Sequence, residues 1–269
     1  MTSPSSQFIN MEREAGRSAF GGDAENYDTS RAGYPDALYA SLYAMVPAAP
    51  RVLEIGAGTG LATAGLLAGQ PSALTVLEPD ARLCDYLRQR FTDPRVTVCN
   101  GPFPETAIAG PFDLVACAAA FHWMEPQPAL ARVRALLAPG GVWAMWWNCY
   151  LAHGDDDPLA ERALALLRAE GVALPPSFEA ERHYALNVPA QTATLAAAGF
   201  ATSRHQRFRT VRAFTPEQAR ALYASFSFIS VLPAAQRDRL LERIAAIVRD
   251  DLGGRADCVV VTALYSAAR

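Results

Sequence analysis

From residue 36 to about 147, short apolar runs alternate with segments whose apolar residues recur at helical spacing, and Gly or Pro marks most junctions. Short apolar runs bounded by such breakers predict buried strands, the intervening periodic segments predict helices, and their alternation predicts a parallel α/β sheet. The pattern places a helix near 36–46, strand one at 51–55, a helix at 60–69 closed by Gly69, and strand two at 73–77. It continues with a helix at 81–91, strand three at 95–99, strand four at 112–117 after Gly110-Pro111, and a helix at 127–137 ending at Pro139-Gly140-Gly141. Strand five follows at 142–147.

Beyond 150 the rhythm changes. Asp157 as N-cap and Pro158 at the first helical position open a helix that runs to about 169. A helix around 190–198 ends at Gly199, and an extended segment with polar and basic alternation covers about 200–213. Thr215-Pro216-Glu217 opens another helix, Pro233 starts a longer one to about 250, and Gly253-Gly254 turns into a last strand from Cys258 to Tyr265. Helices set between two late strands predict a cap made of 150–199 and 215–251 beside the sheet, within one domain from 20 to 269. Residues 1–19, polar and rich in serine and charge, are expected to be poorly ordered.

The chemistry concentrates where strands end. Val52-Leu53-Glu54-Ile55 leads into Gly56-Ala57-Gly58-Thr59-Gly60, a turn whose glycines admit positive φ and close approach of a ligand. The spacing is G-x-G-x-G and not the G-x-G-x-x-G of a dinucleotide site, so the turn suits a nucleoside without phosphates. Glu54 suits a ligand carrying positive charge. Glu78 stands at the tip of the next strand, before Pro79 and Asp80; its two acceptor oxygens match a ribose diol, and Asp80 fits a helix cap. Strand three leads to Asn100-Gly101-Pro102-Phe103, a place for adenine. Strand four ends in Ala118-Ala119-Ala120-Phe121-His122-Trp123-Met124, where small residues leave room and Phe121 and Trp123 can shield a cation or pack in the core.

These motifs resemble those of the class I S-adenosylmethionine-dependent methyltransferases, and the Phe-His-Trp triplet is similar to that of a small-molecule subgroup, methyltransferase type 11/25-like. Phe20 to Tyr27, Arg31 and Gly33-Tyr34-Pro35 look like that subgroup's amino-terminal segment, and 222–227 with the helix ending near Asp250 look like its tail. The resemblance implies a Rossmann-like seven-stranded sheet, mostly parallel, with the strand at 258–265 antiparallel and a helical cap over the active edge. It implies S-adenosyl-L-methionine as cofactor, with Tyr27 and Arg31 at its carboxylate and residues 20–35 folded over it. Glu54, Gly56, Ala57, Gly58, Gly60, Glu78, Pro79, Gly101, Pro102, Phe103, Ala119 and Phe121 complete the expected cofactor contacts. Pro104-Glu105 departs from the family's usual pattern after strand three, which leaves the side-chain contact there in doubt.

His122 is the candidate general base, weighed against a role in ordering its loop. Trp123, Trp146, Trp147 and Asn148 are candidates for the substrate wall, weighed against core packing. The acceptor is expected to be a small molecule attacking through oxygen, nitrogen or carbon, in specialised metabolism. Two other readings stay open: a protein that binds the cofactor without transfer, and a nicotinamide-dependent oxidoreductase, which the glycine spacing disfavours.

Composition narrows this further. The 269 residues carry a net charge of −3 with no basic stripe, so neither nucleic acid nor an anionic membrane is an expected partner. Every one of the 24 basic residues is arginine, which excludes lysine Schiff-base chemistry. Five scattered cysteines give neither a disulfide framework nor a zinc pattern; reduced thiols in a cytoplasmic protein are expected, as a monomer or weak homodimer. Asp155-Asp156-Asp157 reads as helix capping, and no metal is expected.

Overall fold

The computed structural model describes residues 31–150, 157–174 and 183–269. Tyr27, His153, Asp155, Asp156 and most of the expected covering segment 20–35 lie outside the described residues. Seven strands form one sheet: β1 (Arg51–Ile55), β2 (Ala73–Glu78), β3 (Val96–Asn100), β4 (Phe112–Ala118), β5 (Leu137–Cys149), β6 (Ser203–Phe214) and β7 (Ala256–Ala268), in the order β3-β2-β1-β4-β5-β7-β6. The helices are α1 (Asp36–Tyr43), α2 (Leu61–Ala68), α3 (Ala81–Arg90), α4 (Pro126–Leu136), α5 (Pro158–Ala169), α6 (Val188–Ala197), α7 (Pro216–Ala224) and α8 (Ala234–Ala246), with short turns of helix between some of them.

β1 pairs in parallel with β2 and β4, β2 with β3, and β4 with β5. β7 runs the other way. Its residue Thr262 bonds Asn148 of β5, while Arg269, just past its end, donates its amide to Gly141 further back along β5. As β7 advances, β5 recedes, so the sheet is mixed, as expected. β6, at the sheet edge, is largely exposed and carries Arg204, Arg207, Arg209 and Arg212. Charged side chains on an edge discourage further strand pairing.

Two compact units divide the described chain. The first contains 33–148, 185–208 and 262–269; the second contains the described residues of 1–32, 149–184 and 209–261. In the first unit, Leu38, Leu42, Val52, Leu66, Leu74, Leu114 and Trp146 form a fully buried core between the sheet and helices α1 and α2. The helices meet through glycines. A Cβ on Gly65 would lie 2.0 Å from the Tyr39 ring and one on Gly69 2.0 Å from the Tyr43 ring, so both tyrosines of α1 lie flat across α2. Their hydroxyls donate to the Ala62 and Leu66 carbonyls of α2. Tyr34 and Tyr39 also meet the Trp146 ring edge-on, at 5.7 and 6.4 Å.

The second unit has its own core, built from Leu159, Leu164 and Leu167 of α5, Leu222 of α7, Leu240 and Ile244 of α8, and Val260 of β7. Asp157 starts α5 as expected, its Oδ1 accepting from Ala160 N at 2.8 Å, and its Oδ2 accepts from Val259 N of β7 at 2.9 Å. Thr215 and Gln218 form a reciprocal capping box at the start of α7.

Several boundaries differ from the sequence reading: the last strand, expected from Cys258 to Tyr265, runs from Ala256 to Ala268, and two others have a local cause. α1 stops at Tyr43, before 46, because Pro47 disfavours helical φ/ψ at Val46. β5 begins at Leu137, well before 142: Pro139-Gly140-Gly141 is absorbed as an irregularity in the β4–β5 ladder, not a loop.

Candidate cofactor site

The site is built at the carboxyl ends of β1, β2, β3 and β4, all within the first unit. Gly56, Gly58 and Gly60 all have positive φ, at 71°, 59° and 86°. The turn is tied to the neighbouring strand by Gly56 N donating to Leu77 O at 2.8 Å. The three glycines nonetheless serve different ends. A Cβ on Gly56 would stand 2.6 Å from the Ala120 Cβ, so Gly56 lets the loop after β4 close against the turn. A Cβ on Gly60 would strike Phe91 and Leu87 at 2.4 and 2.8 Å, so Gly60 lets the start of α2 pack on α3. Among the described residues nothing stands within 4 Å of a Cβ built on Gly58, so of the three this glycine alone is open on that side.

Glu78 faces that turn. Its Oε2 accepts from Gly58 N at 2.8 Å and its Oε1 from Asp80 N at 3.0 Å. The residue is only 5% exposed. Burial pushes its carboxyl above the ordinary range, while the two amide bonds pull it back. Each oxygen retains a second lone pair with which to accept a hydroxyl. The strand tip is stiffened from β3: Asn100 Nδ2 donates to the carbonyls of Glu78 and Pro79, each at 3.0 Å, and Gly101 N donates to Glu78 O at 3.0 Å. Asp80 caps α3 by accepting from Arg82 N, the role the sequence suggested. The Gly101 amide is therefore engaged and Pro102 has none, so the loop exposes its Pro102 edge, while the Phe103 ring is buried.

Glu54 stands apart from this open side. It is 1% exposed, turned toward α2, and its Oε2 accepts from the Thr63 hydroxyl at 2.6 Å, whereas Oε1 is buried with no hydrogen-bond partner among the described residues. Burial pushes its carboxyl up to about 8, with the Thr63 bond acting downward and the charge of Glu78 upward. Ala57 is buried in the first unit's core.

In the loop after β4, Ala119 takes φ +49°, an uncommon conformation for a residue with a Cβ, and its N–H donates to Trp146 O at 2.8 Å. Phe121 is buried with its ring 5.6 Å from that of Trp143. His122 is half-buried, with the Trp123 ring 4.4 Å away, and its Nδ1 accepts from the Trp147 indole N–H at 3.2 Å. Trp146 is wholly buried, and Asn148 Oδ1 accepts from the Thr262 hydroxyl at 2.6 Å.

Arg31 belongs to the second unit. Its guanidinium lies 4.7 Å from the centre of the Phe226 ring and 5.2 Å from that of Tyr150, and donates to Ser225 O at 3.0 Å. His183 there lies 3.4 Å from Cys149 Sγ, and burial, with Arg31 adding, lowers its imidazole to about 4.

Three partners were not singled out from the sequence: Thr63 for Glu54, the Asn100 side chain for the β2 tip, and Trp147 for His122. No local motif marks Thr63, whose contact exists only once α2 folds back over β1. Among the described residues no cluster of three or more His, Cys, Asp or Glu could hold a metal ion. No helix among them is long and apolar enough to cross a membrane.

A β3-β2-β1-β4-β5-β7-β6 sheet with one reversed strand, a glycine turn after β1 and an acid at the tip of β2 define the class I methyltransferase architecture. Residues 52–141 match the family model described as a methyltransferase domain. Over 255 residues, 91% of this chain and 94% of its relative, the sequence is 27% identical to an uncharacterized methyltransferase of Schizosaccharomyces pombe. A structure from Anaeromyxobacter dehalogenans, assigned as a type II methyltransferase, shares the fold with a TM-score of 0.61 at 21% identity, over 88% of this chain and 97% of that one. The phosphoethanolamine N-methyltransferase 2 of Haemonchus contortus, in complex with phosphomonomethylethanolamine and S-adenosylhomocysteine, shares it with a TM-score of 0.51 at 14% identity, over 87% of this chain and 52% of that one. The matched domain, the relatives and the shared fold together support a methyltransferase enzyme.

Proposed function

We propose that this protein transfers a methyl group from S-adenosyl-L-methionine to a small-molecule acceptor. The observation that carries the cofactor assignment is the pairing of Gly58, open on its Cβ side, with a Glu78 carboxylate pinned to face it. Glu78 would accept from both ribose hydroxyls through its remaining lone pairs, and Gly56, Gly58 and Gly60 would shape the floor beneath the nucleoside. Gly101, Pro102 and Phe103 border the place for the base, with Pro79 at its edge, and Ala119 borders the place for the methionine portion. Glu54 acts from below the turn, holding α2 to β1 through Thr63. The bound cofactor supplies a methyl carbon already activated by a positive sulfur. The protein's part is then to hold the acceptor in line and keep water out.

Phe121 supports the loop through Trp143, and Trp146 through Tyr34 and Tyr39, both from within the core. Trp123 and Trp147, beside His122, are the aromatic residues we assign to the acceptor side. Tyr27 and Arg31 remain our candidates for the cofactor carboxylate, on the family resemblance.

Calorimetry with S-adenosylhomocysteine, followed by a screen of small acids, phenols and amines for its formation from S-adenosyl-L-methionine, tests the assignment. Binding together with turnover is expected. Absence of binding would overturn the cofactor assignment, and binding without turnover on any class would leave a cofactor-binding protein.

A further inference from the structure

The tip of β2 is gripped by a side chain that methyl transfer itself does not call for. Asn100, the last residue of β3, stands opposite Glu78 in the parallel β2–β3 ladder. Its Nδ2 donates to the Glu78 carbonyl at 3.0 Å and to the Pro79 carbonyl at 3.0 Å. A side-chain amide carries two N–H groups, and two carbonyls at this distance require the NH2 end to face them. Cys84 of α3 is wholly buried, with its Sγ 3.2 Å from the Glu78 carbonyl and 3.4 Å from Asn100 Nδ2, so the helix backs the same junction.

The consequence lies in the next peptide. The bond between Pro79 and Asp80 is trans, so its C=O and N–H lie in one plane and point in opposite directions. Its oxygen is held by Asn100, and its N–H donates to Glu78 Oε1 at 3.0 Å. Neither end can turn without turning the other. The last torsion of a glutamate is soft, so a carboxylate keeps one plane only where donors hold both oxygens. Gly58 N holds Oε2 at 2.8 Å from the glycine turn, and the Pro79–Asp80 peptide, oriented from β3, holds Oε1. We propose that Asn100 is a positioning residue for ribose recognition: by holding the Pro79 carbonyl it presents the Asp80 N–H to Glu78 and fixes the plane of the carboxylate that receives the two ribose hydroxyls. This rests on the cofactor reading of the same site.

Removing the Asn100 amide is a selective change. In Asn100→Ala the backbone bond from Gly101 N to the Glu78 carbonyl, at 3.0 Å, stays in place, so the β2–β3 ladder keeps its end and the Pro79–Asp80 peptide is the part released. Asn100 is exposed, so water competes for its donors, and their loss should weaken binding by about threefold to tenfold without abolishing it. Asn100→Asp keeps the size but sets carboxylate oxygens against two carbonyl oxygens. It should turn the peptide away and lose more affinity than Asn100→Ala.

Two measurements test this, one of them without ligand. An amide proton bonded to a carboxylate shifts as that carboxyl titrates. In 15N-labelled protein the Asp80 and Gly58 amides should therefore both follow Glu78 on acidification, and Glu78→Gln should abolish both responses. In Asn100→Ala the Asp80 response should shrink while that of Gly58 persists. Its midpoint should move to higher pH, because the two amide bonds lower the Glu78 carboxyl and one of them is lost. An Asp80 response unchanged from wild type would overturn the proposal. The second measurement is calorimetry with S-adenosylhomocysteine and with its 2′,3′-dideoxy analogue. Asn100→Ala should lose about threefold to tenfold in affinity for the first and almost none for the second. Equal losses for both would reduce Asn100 to a structural residue or a contact to the base and overturn the proposal, as would wild-type affinity in Asn100→Asp. Absence of S-adenosylhomocysteine binding by the wild type would count against the cofactor reading, whereas the amide titration decides independently whether Asn100 sets the carboxylate.

Discussion

Glu78 and Glu54 end adjacent strands and are both buried, but one is surrounded by donors and the other has a single hydroxyl for company. Glu78→Gln places an amide NH2 against either the Gly58 or the Asp80 N–H, so it loses an acceptor and gains a donor facing a donor. Its affinity for S-adenosylhomocysteine should fall by about tenfold or more, at a stability cost of about 1–3 kcal/mol. Calorimetry and denaturant unfolding read the two effects separately, and unchanged affinity would mean that the ribose is held elsewhere. Glu54 carries the opposite expectation. Its carboxyl is raised from an ordinary 4.5 to about 8 in the folded protein, so the folded state holds the proton over that interval and the unfolded state does not. The stability linked to that proton is fully present below the lower value and is lost as pH rises through the upper one. Glu54→Gln should flatten this decline in a series of urea melts. A wild-type profile with no decline between those values would show that Glu54 is ionised throughout.

At the scale of elements, the contact of α1 on α2 sets helix propensity against packing. Replacing Gly65 by Ala favours the helix by about 1 kcal/mol, but the new methyl would sit 2.0 Å from the Tyr39 ring. The ring is held by its hydroxyl and by Trp146, so overpacking wins and Gly65→Ala should destabilise the protein by about 1–3 kcal/mol. Thermal unfolding checks the sign, and a stabilised variant would mean that α1 can shift. The sequence made most elements legible, since strands β1, β2, β3 and β4 are short, apolar and bounded by Gly or Pro. The tight α1–α2 crossing was not legible, because Gly65 and Gly69 read only as weak helix residues until the tyrosines of α1 lie across them. In the site, the glycine turn and Glu78 were visible from spacing. The inward turn of Glu54 was not: β1 is buried on both faces, so its apolar neighbours give no sign of which way the acid points. The contact on His122 was equally hidden, because Trp147 comes from β5, distant in sequence, and the triplet Phe121-His122-Trp123 says nothing of it.

For the whole molecule, a cofactor that binds only the folded state should raise its stability by about 2.7 kcal/mol at a concentration a hundred times its dissociation constant. S-adenosylhomocysteine should therefore raise the melting temperature by several degrees, and by much less in the Glu78→Gln variant. Equal shifts in both would place the ligand away from the β2 tip. The strand order has a further consequence, for synthesis. β7 is made after β6 but lies between β5 and β6, so β6 leaves the ribosome without the neighbour it will pair with. The slot between β5 and β6 is filled only when a long intervening chain has closed, a step set by loop entropy more than by local contacts. Until then β5, with its three tryptophans, keeps an open edge on the growing chain, and mispairing during folding is to be expected there first.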